Sequence, residues 1–409
     1  MRILFILTQD LYSPSGGGRY FPLAKELALL NNKVRIIATH SNFKNLKEKK
    51  VIQDGVEVNY VGQMHVLKSG NTKKYFNPIK LISNTISSTL FLSLSALSKR
   101  ADIIFVGKPH PMNSVAGLVG RIRWGCSLVI DVDDDEAASN NIKMNWEKKI
   151  VAWFAWQAPR WANWVTTNTH YMANKLQRAG IDSKRIYYLP NGIDPDCFRE
   201  PDPQTLANLR FRLGLSDKKV IAYIGSISLT NHPIDLLISA FNCLRLQRED
   251  IILMIVGGGE DFEPLQEIIK KNGQSENVLF TGKVPKEDIN LYYRLADVSV
   301  DPVFDNEVAR CRCPLKLFES WACGIPFITA DVGERKQLMG PELEALNIIP
   351  GSSSTLCLAL CYVLDNPQLM QELCNNARDK VQKYYWRVLA SQLSERIKAL
   401  GENNSIQNQ

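Results

Sequence analysis

The 409-residue chain contains no CxxC pair: its nine cysteines, among them Cys126, Cys243, Cys311, Cys313 and Cys323, are scattered. That pattern predicts a reducing, cytoplasmic setting, as does an N-terminus, MRILFIL, without the layout of a signal peptide. No run of about 20 apolar residues appears. One segment, LISNTISSTLFLSLSAL, comes near but is broken by serine, asparagine and threonine, so no membrane span is predicted. Neither sign of charge is in large excess. A net charge of +7 suits anionic partners such as nucleotides or acidic lipid headgroups, and nothing else points to nucleic acid. Also missing is a GxGxxG turn with an acidic residue at the next strand end, which disfavours a dinucleotide cofactor.

What is present is a globular composition, 45% hydrophobic and 22% charged, on a chain too long for one ordinary core. Two domains are expected. The first half alternates apolar runs (RILFIL, KVRIIAT, ADIIFVG, SLVIDV) with helical patterns, and the second half repeats the theme with KVIAYIG, IILMIVGG, NVLFTG, ADVSVDP and PFITA. Such alternation predicts βαβ units and parallel sheets, hence an α/β chain of two doubly wound, Rossmann-like domains. Prolines and an Asn-Gly step in YLPNGIDPDCFREPDPQ interrupt both periodicities. The boundary is therefore placed near Ile193, with domains at 1–192 and 193–384 and a polar, frayed tail over 401–409. Ligands of such folds bind beyond the carboxyl ends of the strands, so the expected site is a cleft between two facing domains.

Several stretches carry candidate chemistry. Gly16, Gly17 and Gly18 precede a helical pattern after the first strand; they read as an anion cradle at a helix N-terminus or as a flexible turn. In CPLKLFESWACGIPF, Lys316 and Glu319 stand one helical turn apart among apolar residues, which argues against a solvated salt bridge. The run DVDDDE over 131–136 follows a strand and offers oxygen ligands for a divalent cation or a polar wall for a substrate. Five of the eight tryptophans cluster in NWEKKIVAWFAWQAPRWANWV with basic residues interleaved. That pattern fits an amphipathic helix in peripheral contact with the inner face of a membrane, or core and interdomain packing.

Taken together, the Gly-rich start, YLPNGID, the block KVIAYIGSISLTNHPID and above all residues 278–334 resemble the group 1 (family 4) retaining glycosyltransferases of the GT-B fold. The resemblance spans nearly the whole chain. It implies transfer of a sugar from a nucleoside diphosphate to an acceptor hydroxyl with retention of configuration, in polysaccharide or glycoconjugate synthesis, without a cofactor or metal. Its partners would be a nucleotide sugar and a glycan or lipid-linked acceptor. It also implies that a helix at about 385–400 crosses back onto the first domain.

By this resemblance Glu319 takes the ribose hydroxyls and Lys316 the diphosphate, with Gly17, Gly18, Ser226, His232, Lys283, Val284, Arg312 and Leu317 also around the nucleotide or diphosphate. His110 falls where the family touches the donor sugar, although a surface-loop histidine is the alternative. His110, Lys316 and Glu319 are the residues expected to carry catalysis. The sequence departs from the family where a second glutamate would precede Glu319 with seven residues between them; Cys311 stands there. Asp305, Glu307 and Arg310 are candidates to replace it at the donor sugar, or form a solvated loop. Asp133 and Asp134 are assigned to the acceptor side. A nucleotide-sugar epimerase of the same fold and a non-catalytic nucleotide-sugar binder are the rival readings.

Overall fold

The computed structural model describes every residue except 70–71, 140–143, 230–231, 272, 274 and 407–409. The chain forms two compact units. The first comprises Met1–Gly192, Cys311–Cys313 and Tyr384–Gln409; the second comprises Ile193–Arg310 and Pro314–Lys383.

In the first unit an eight-stranded sheet runs in the order Ile186–Tyr188, Trp164–Thr167, Ser127–Asp131, Ile103–Gly107, Arg2–Leu7, Lys33–His40, Val56–Gln63 and Lys50–Gln53. Only the last of these pairs antiparallel. The inner strands are continuous apolar runs because helices cover both sheet faces. Helices Phe21–Leu29 and Trp386–Ile406 pack together over one face, around Phe5, Ile36, Phe105, Trp386, Leu389 and Leu393. Helices Pro78–Ser98, Pro111–Trp124 and Asn145–Trp161 lie over the other, around Ile6, Ile104, Leu128, Leu92, Met112 and Ala158. Gly192 of the PNGID segment explains the close return of the chain, since a Cβ there would sit 2.6 Å from the Tyr384 carbonyl oxygen.

One expectation is corrected here, and one segment that the sequence pattern interrupts is continuous. The final helix continues to Ile406, past residue 401 where the polar composition predicts fraying, because helix hydrogen bonds are local and need no buried face; residues 407–409 lie outside the described residues. Pro78–Ser98 is one unbroken 21-residue helix, long and apolar enough by length and composition to cross a membrane. Its polar residues do not interrupt it because their hydroxyls bond to carbonyls: Thr89 Oγ1 to Thr85 O at 2.7 Å, Ser87 Oγ to Asn84 O at 3.1 Å and Ser98 Oγ to Ser95 O at 2.8 Å.

The second unit is built on a six-stranded, all-parallel sheet in the order Val278–Gly282, Ile251–Val256, Lys219–Ile224, Val298–Asp301, Phe327–Ala330 and Asn347–Ile348. Its carboxyl ends carry Gly225, Gly257, Gly282 and Asp301. Gly257 holds φ at +136°, and a Cβ there would lie 1.9 Å from the Gly225 carbonyl oxygen. The loops after two neighbouring strands thus touch backbone to backbone, which only glycine permits.

The C-terminal helix completes the first core rather than decorating it. Leu393, fully buried there, is expected to cost about 2–5 kcal/mol on truncation to alanine. Urea unfolding followed by circular dichroism checks this, with a lower midpoint expected at unchanged slope.

Candidate nucleotide-sugar site

In the second unit the helix Leu315–Ala322 is anchored by Leu317, Phe318 and Trp321, all fully buried. That anchoring turns Lys316 and Glu319 toward the strand ends. They do not pair with each other. Lys316 Nζ lies 2.8 Å from Asp301 Oδ1, 3.4 Å from the Tyr223 hydroxyl and 4.5 Å above the Tyr223 ring centroid. Glu319 Oε2 accepts from the Tyr293 hydroxyl at 2.9 Å. Arg335 Nη2 donates to the other oxygen of Asp301 at 2.8 Å, and His232 Nδ1 stands 3.9 Å from Asp301 Oδ1.

The charges follow from these contacts. Burial opposes ionisation of Asp301, yet Lys316, Arg335 and His232 outweigh it and hold the carboxyl well below its usual range. Burial likewise opposes the Lys316 ammonium, and Asp301 with Tyr223 raises it all the same. The Glu319 carboxyl is pushed up by burial, with the Tyr293 hydrogen bond pulling the other way. Lys316 also lies against backbone: a Cβ on Gly225 would come within 3.1 Å of Nζ. One buried anion against two cations leaves a positive locus beside bare glycine backbone, next to a carboxylate one helical turn on. Chemically it can hold an anion and accept from hydroxyls.

In the first unit, Lys108 follows the strand Ile103–Gly107 with φ at +69°, a conformation that non-glycine residues adopt at a cost. Asn113 Nδ2 fixes this turn by donating to the carbonyls of Gly107 and Lys108 at 2.6 and 2.9 Å. Lys108 Nζ reaches Glu136, and Asp133 Oδ1 at 3.2 Å; His110 Nε2 meets Glu136 Oε2 at 3.1 Å. Burial pushes the Asp133 carboxyl up to about 6, only partly offset by Lys108. Against burial, Lys108 and His110 hold the neighbouring Glu136 far below its usual range.

Other expected residues are placed differently. Gly16–Tyr20 is a π-helical turn leading into Phe21–Leu29, not a loop, and the Gly17 amide already donates to Ser13 O at 2.8 Å, so that amide is not open to an anion. Arg312 belongs to the first unit, with Nε 3.7 Å from Asp134 Oδ2. The Leu317 side chain is core, and its amide bonds Pro314 O at 3.3 Å. Arg310 and Asp305 bind each other through two hydrogen bonds of 2.6 and 2.7 Å, while Glu307 opens the short helix Glu307–Cys311. Ser226 and Lys283 are exposed and Val284 is half-buried against the second unit's core. Cys311 is completely buried in the first unit's apolar cluster, a place where a thiol packs and an unpaired carboxylate would be costly.

Residues 16–197 match the family described as Glycosyltransferase Family 4, and residues 207–380 match Glycosyl transferases group 1. The chain belongs to the group 1 glycosyltransferases. It is 32% identical over 174 residues to a GDP-mannose-dependent alpha-(1-6)-phosphatidylinositol monomannoside mannosyltransferase of Mycolicibacterium smegmatis, covering 42% of this chain and 45% of that protein. With the alpha-D-kanosaminyltransferase of Streptomyces kanamyceticus it shares 24% identity over 265 residues, 64% of this chain and 67% of the other. The chain spans less than half the length of the mannosyltransferase relatives it matches. Among solved structures, sucrose-phosphate synthase from Thermosynechococcus elongatus superposes with a TM-score of 0.78 at 18% identity, over 98% of this chain and 99% of that one. HepE of Anabaena, in complex with UDP-glucose, gives 0.75 at 18% identity, over 98% and 100%. The fold of this group 1 member is thus the GT-B fold.

Sequence reasoning missed Asp301, Tyr223, Tyr293 and Arg335, the partners that hold Lys316 and Glu319, and it missed Lys108, the partner of Glu136 at the end of the acidic run. An aspartate closing the apolar run ADVSVD and a lysine two residues before His110 were the available signals.

Two outcomes are expected. Lys316→Ala should weaken nucleoside-diphosphate binding by about 1.5–3 kcal/mol in calorimetry, the range for hydrogen bonds to a charged group. The folded-state pKa of Asp133 lies above its unfolded value, so its contribution to stability falls as pH rises through about 6. The stability of the wild type relative to Asp133→Asn should therefore decline between pH 4 and 7 in urea titrations; a flat difference would reject the buried-acid assignment.

Proposed function

We propose that this protein transfers a sugar from a nucleoside-diphosphate sugar to the hydroxyl of a glycan or lipid-linked acceptor, retaining the anomeric configuration, in polysaccharide or glycoconjugate synthesis in the cytoplasm. The observation that carries the reading is the Lys316–Glu319 pair on one anchored helix, inside the region that matches the group 1 family. Glu319 takes the ribose hydroxyls and Lys316 the diphosphate, whose negative charge grows as the glycosidic bond breaks. Holding donor and acceptor in register does most of the remaining work, and no dedicated nucleophile is needed. Asp133 and Asp134 of the first unit are assigned to the acceptor, and His110, which meets Glu136, to the donor sugar.

No metal is assigned a role. In support, the carboxylates of the acidic run already have cations: Asp131 receives Arg19 at 2.7 and 2.8 Å, Asp133 and Glu136 share Lys108, and Asp135 receives Lys175 at 2.5 Å. Lys316 and Arg335 supply positive charge where a cation would otherwise sit.

A second reading, a nucleotide-sugar binder without turnover, draws on the burial of Cys311 where the family places a glutamate. GDP-mannose and UDP-glucose, the nucleotide sugars of a mannosyltransferase relative and of the HepE complex, are the first donors to test. Expected are release of nucleoside diphosphate only with acceptor present, and a product whose linkage keeps the donor's configuration by NMR. An isomerised sugar from donor alone would instead make the protein an epimerase, and saturable binding with no consumption would support the binder. Transfer should persist in excess EDTA; its loss, restored by magnesium and mimicked by Asp133→Asn, would move the acidic run into the catalytic centre.

A further inference from the structure

The helix Pro78–Ser98 is apolar on both sides but buried on only one. Ser88, Leu92 and Ala96 face the core. On the opposite side, Ile79, Ile86, Leu90 and Leu94 recur at intervals of a helical turn or two and are 82%, 65%, 54% and 53% exposed. A helix hydrophobic all round ordinarily lies inside something. The same layer continues the surface: Pro111–Trp124 packs beside this helix and Asn145–Trp161 beside that one, adding exposed Ile122, Trp146, Ile150 and Trp153. An apolar surface of this extent on a soluble unit marks an interaction site.

Charge selects the occupant. Along these three helices the single carboxylate is Glu147, against Lys80, Arg121, Arg123, Lys148, Lys149 and Arg160. A second copy of the chain meeting this surface across a two-fold axis would bring the same cations together. An anionic bilayer matches both properties, since acyl chains take the isoleucines and leucines, the interface takes Trp146 and Trp153, and acidic headgroups take the basic side chains.

We propose that the outer face of helices Pro78–Ser98, Pro111–Trp124 and Asn145–Trp161 docks the first unit onto an anionic lipid bilayer, with Pro78–Ser98 lying along the interface. The helix does not cross the membrane, because its Ser88, Leu92 and Ala96 face is held against the first unit's core. Docking is read without donor or acceptor, so its failure and the failure of the transfer reaction are separable.

The test is flotation of the purified full chain with vesicles of phosphatidylcholine alone or mixed with phosphatidylglycerol. The wild type should float with the mixed vesicles, less so at raised salt, and should be released by alkaline carbonate. Ile86→Glu with Leu90→Glu should reduce partitioning roughly tenfold or more, because each such side chain loses its burial in lipid, with an unchanged circular dichroism spectrum. Should that pair fail to fold, Lys148→Glu with Lys149→Glu gives the second reading: binding should lose its preference for phosphatidylglycerol. The proposal is overturned if the wild type floats with neither vesicle, if both variants float like the wild type, or if carbonate leaves the protein in the bilayer. It is equally overturned if sedimentation shows a dimer that the Ile86 and Leu90 substitutions dissociate, since the face would then be a subunit interface.

Discussion

A carboxylate buried at the end of a parallel strand cannot stay ionised unless cations are brought to it, and both units are organised around such a group. Asp301 closes the strand Val298–Asp301 and Asp131 closes Ser127–Asp131, each without solvent exposure. Asp301 gathers Lys316 and Arg335; Asp131 receives both nitrogens of the Arg19 fork, the Tyr20 hydroxyl at 3.0 Å and the Thr166 hydroxyl at 2.6 Å. Arg19 in turn donates to Asn191 and to the Pro190 carbonyl. One ion pair therefore ties the glycine-rich start of the chain to the PNGID segment at the end of the first unit.

The consequence for chemistry lies in the second cluster. A lysine that must also serve a ligand is usually mobile and solvated, whereas Lys316 is held by a short bond to Asp301 and by the face of Tyr223. Asp301 does not neutralise the locus, because Arg335 contributes a second positive charge to the same carboxylate. A preorganised cation that needs little rearrangement on binding is what electrostatic stabilisation of a leaving group requires. Glu319 is steadied in the same way by Tyr293, so both charged side chains of the helix Leu315–Ala322 are set by residues from other elements.

Similarity to sucrose-phosphate synthase at 18% identity over 98% of the chain shows how loosely the fold constrains the sequence. A parallel sheet covered on both faces asks for apolar runs of suitable length and volume, which many sequences satisfy. Cys311, which closes the helix Glu307–Cys311, is one such apolar position: the cluster of the first unit takes its thiol in fully.

The alternation of apolar runs and helical patterns was enough to give two doubly wound units, and PNGID was enough to put their junction near Ile193, because strand and helix periodicity and turn chemistry are local. Lys316 and Glu319 were legible for the same reason: their spacing and their apolar neighbours all lie on one short helix. Their partners were not legible. Asp301, Arg335, Tyr223 and Tyr293 come from four other elements, and only the packing of those elements shows that the lysine and glutamate address different groups. Likewise the strained turn at Lys108 and the exposure of one apolar face of Pro78–Ser98 are invisible to composition. Composition alone broke that segment at its serines and threonines. Local patterns determined which elements form; long-range packing decided which polar groups share a carboxylate, which amides are already spent, and which apolar face remains outside.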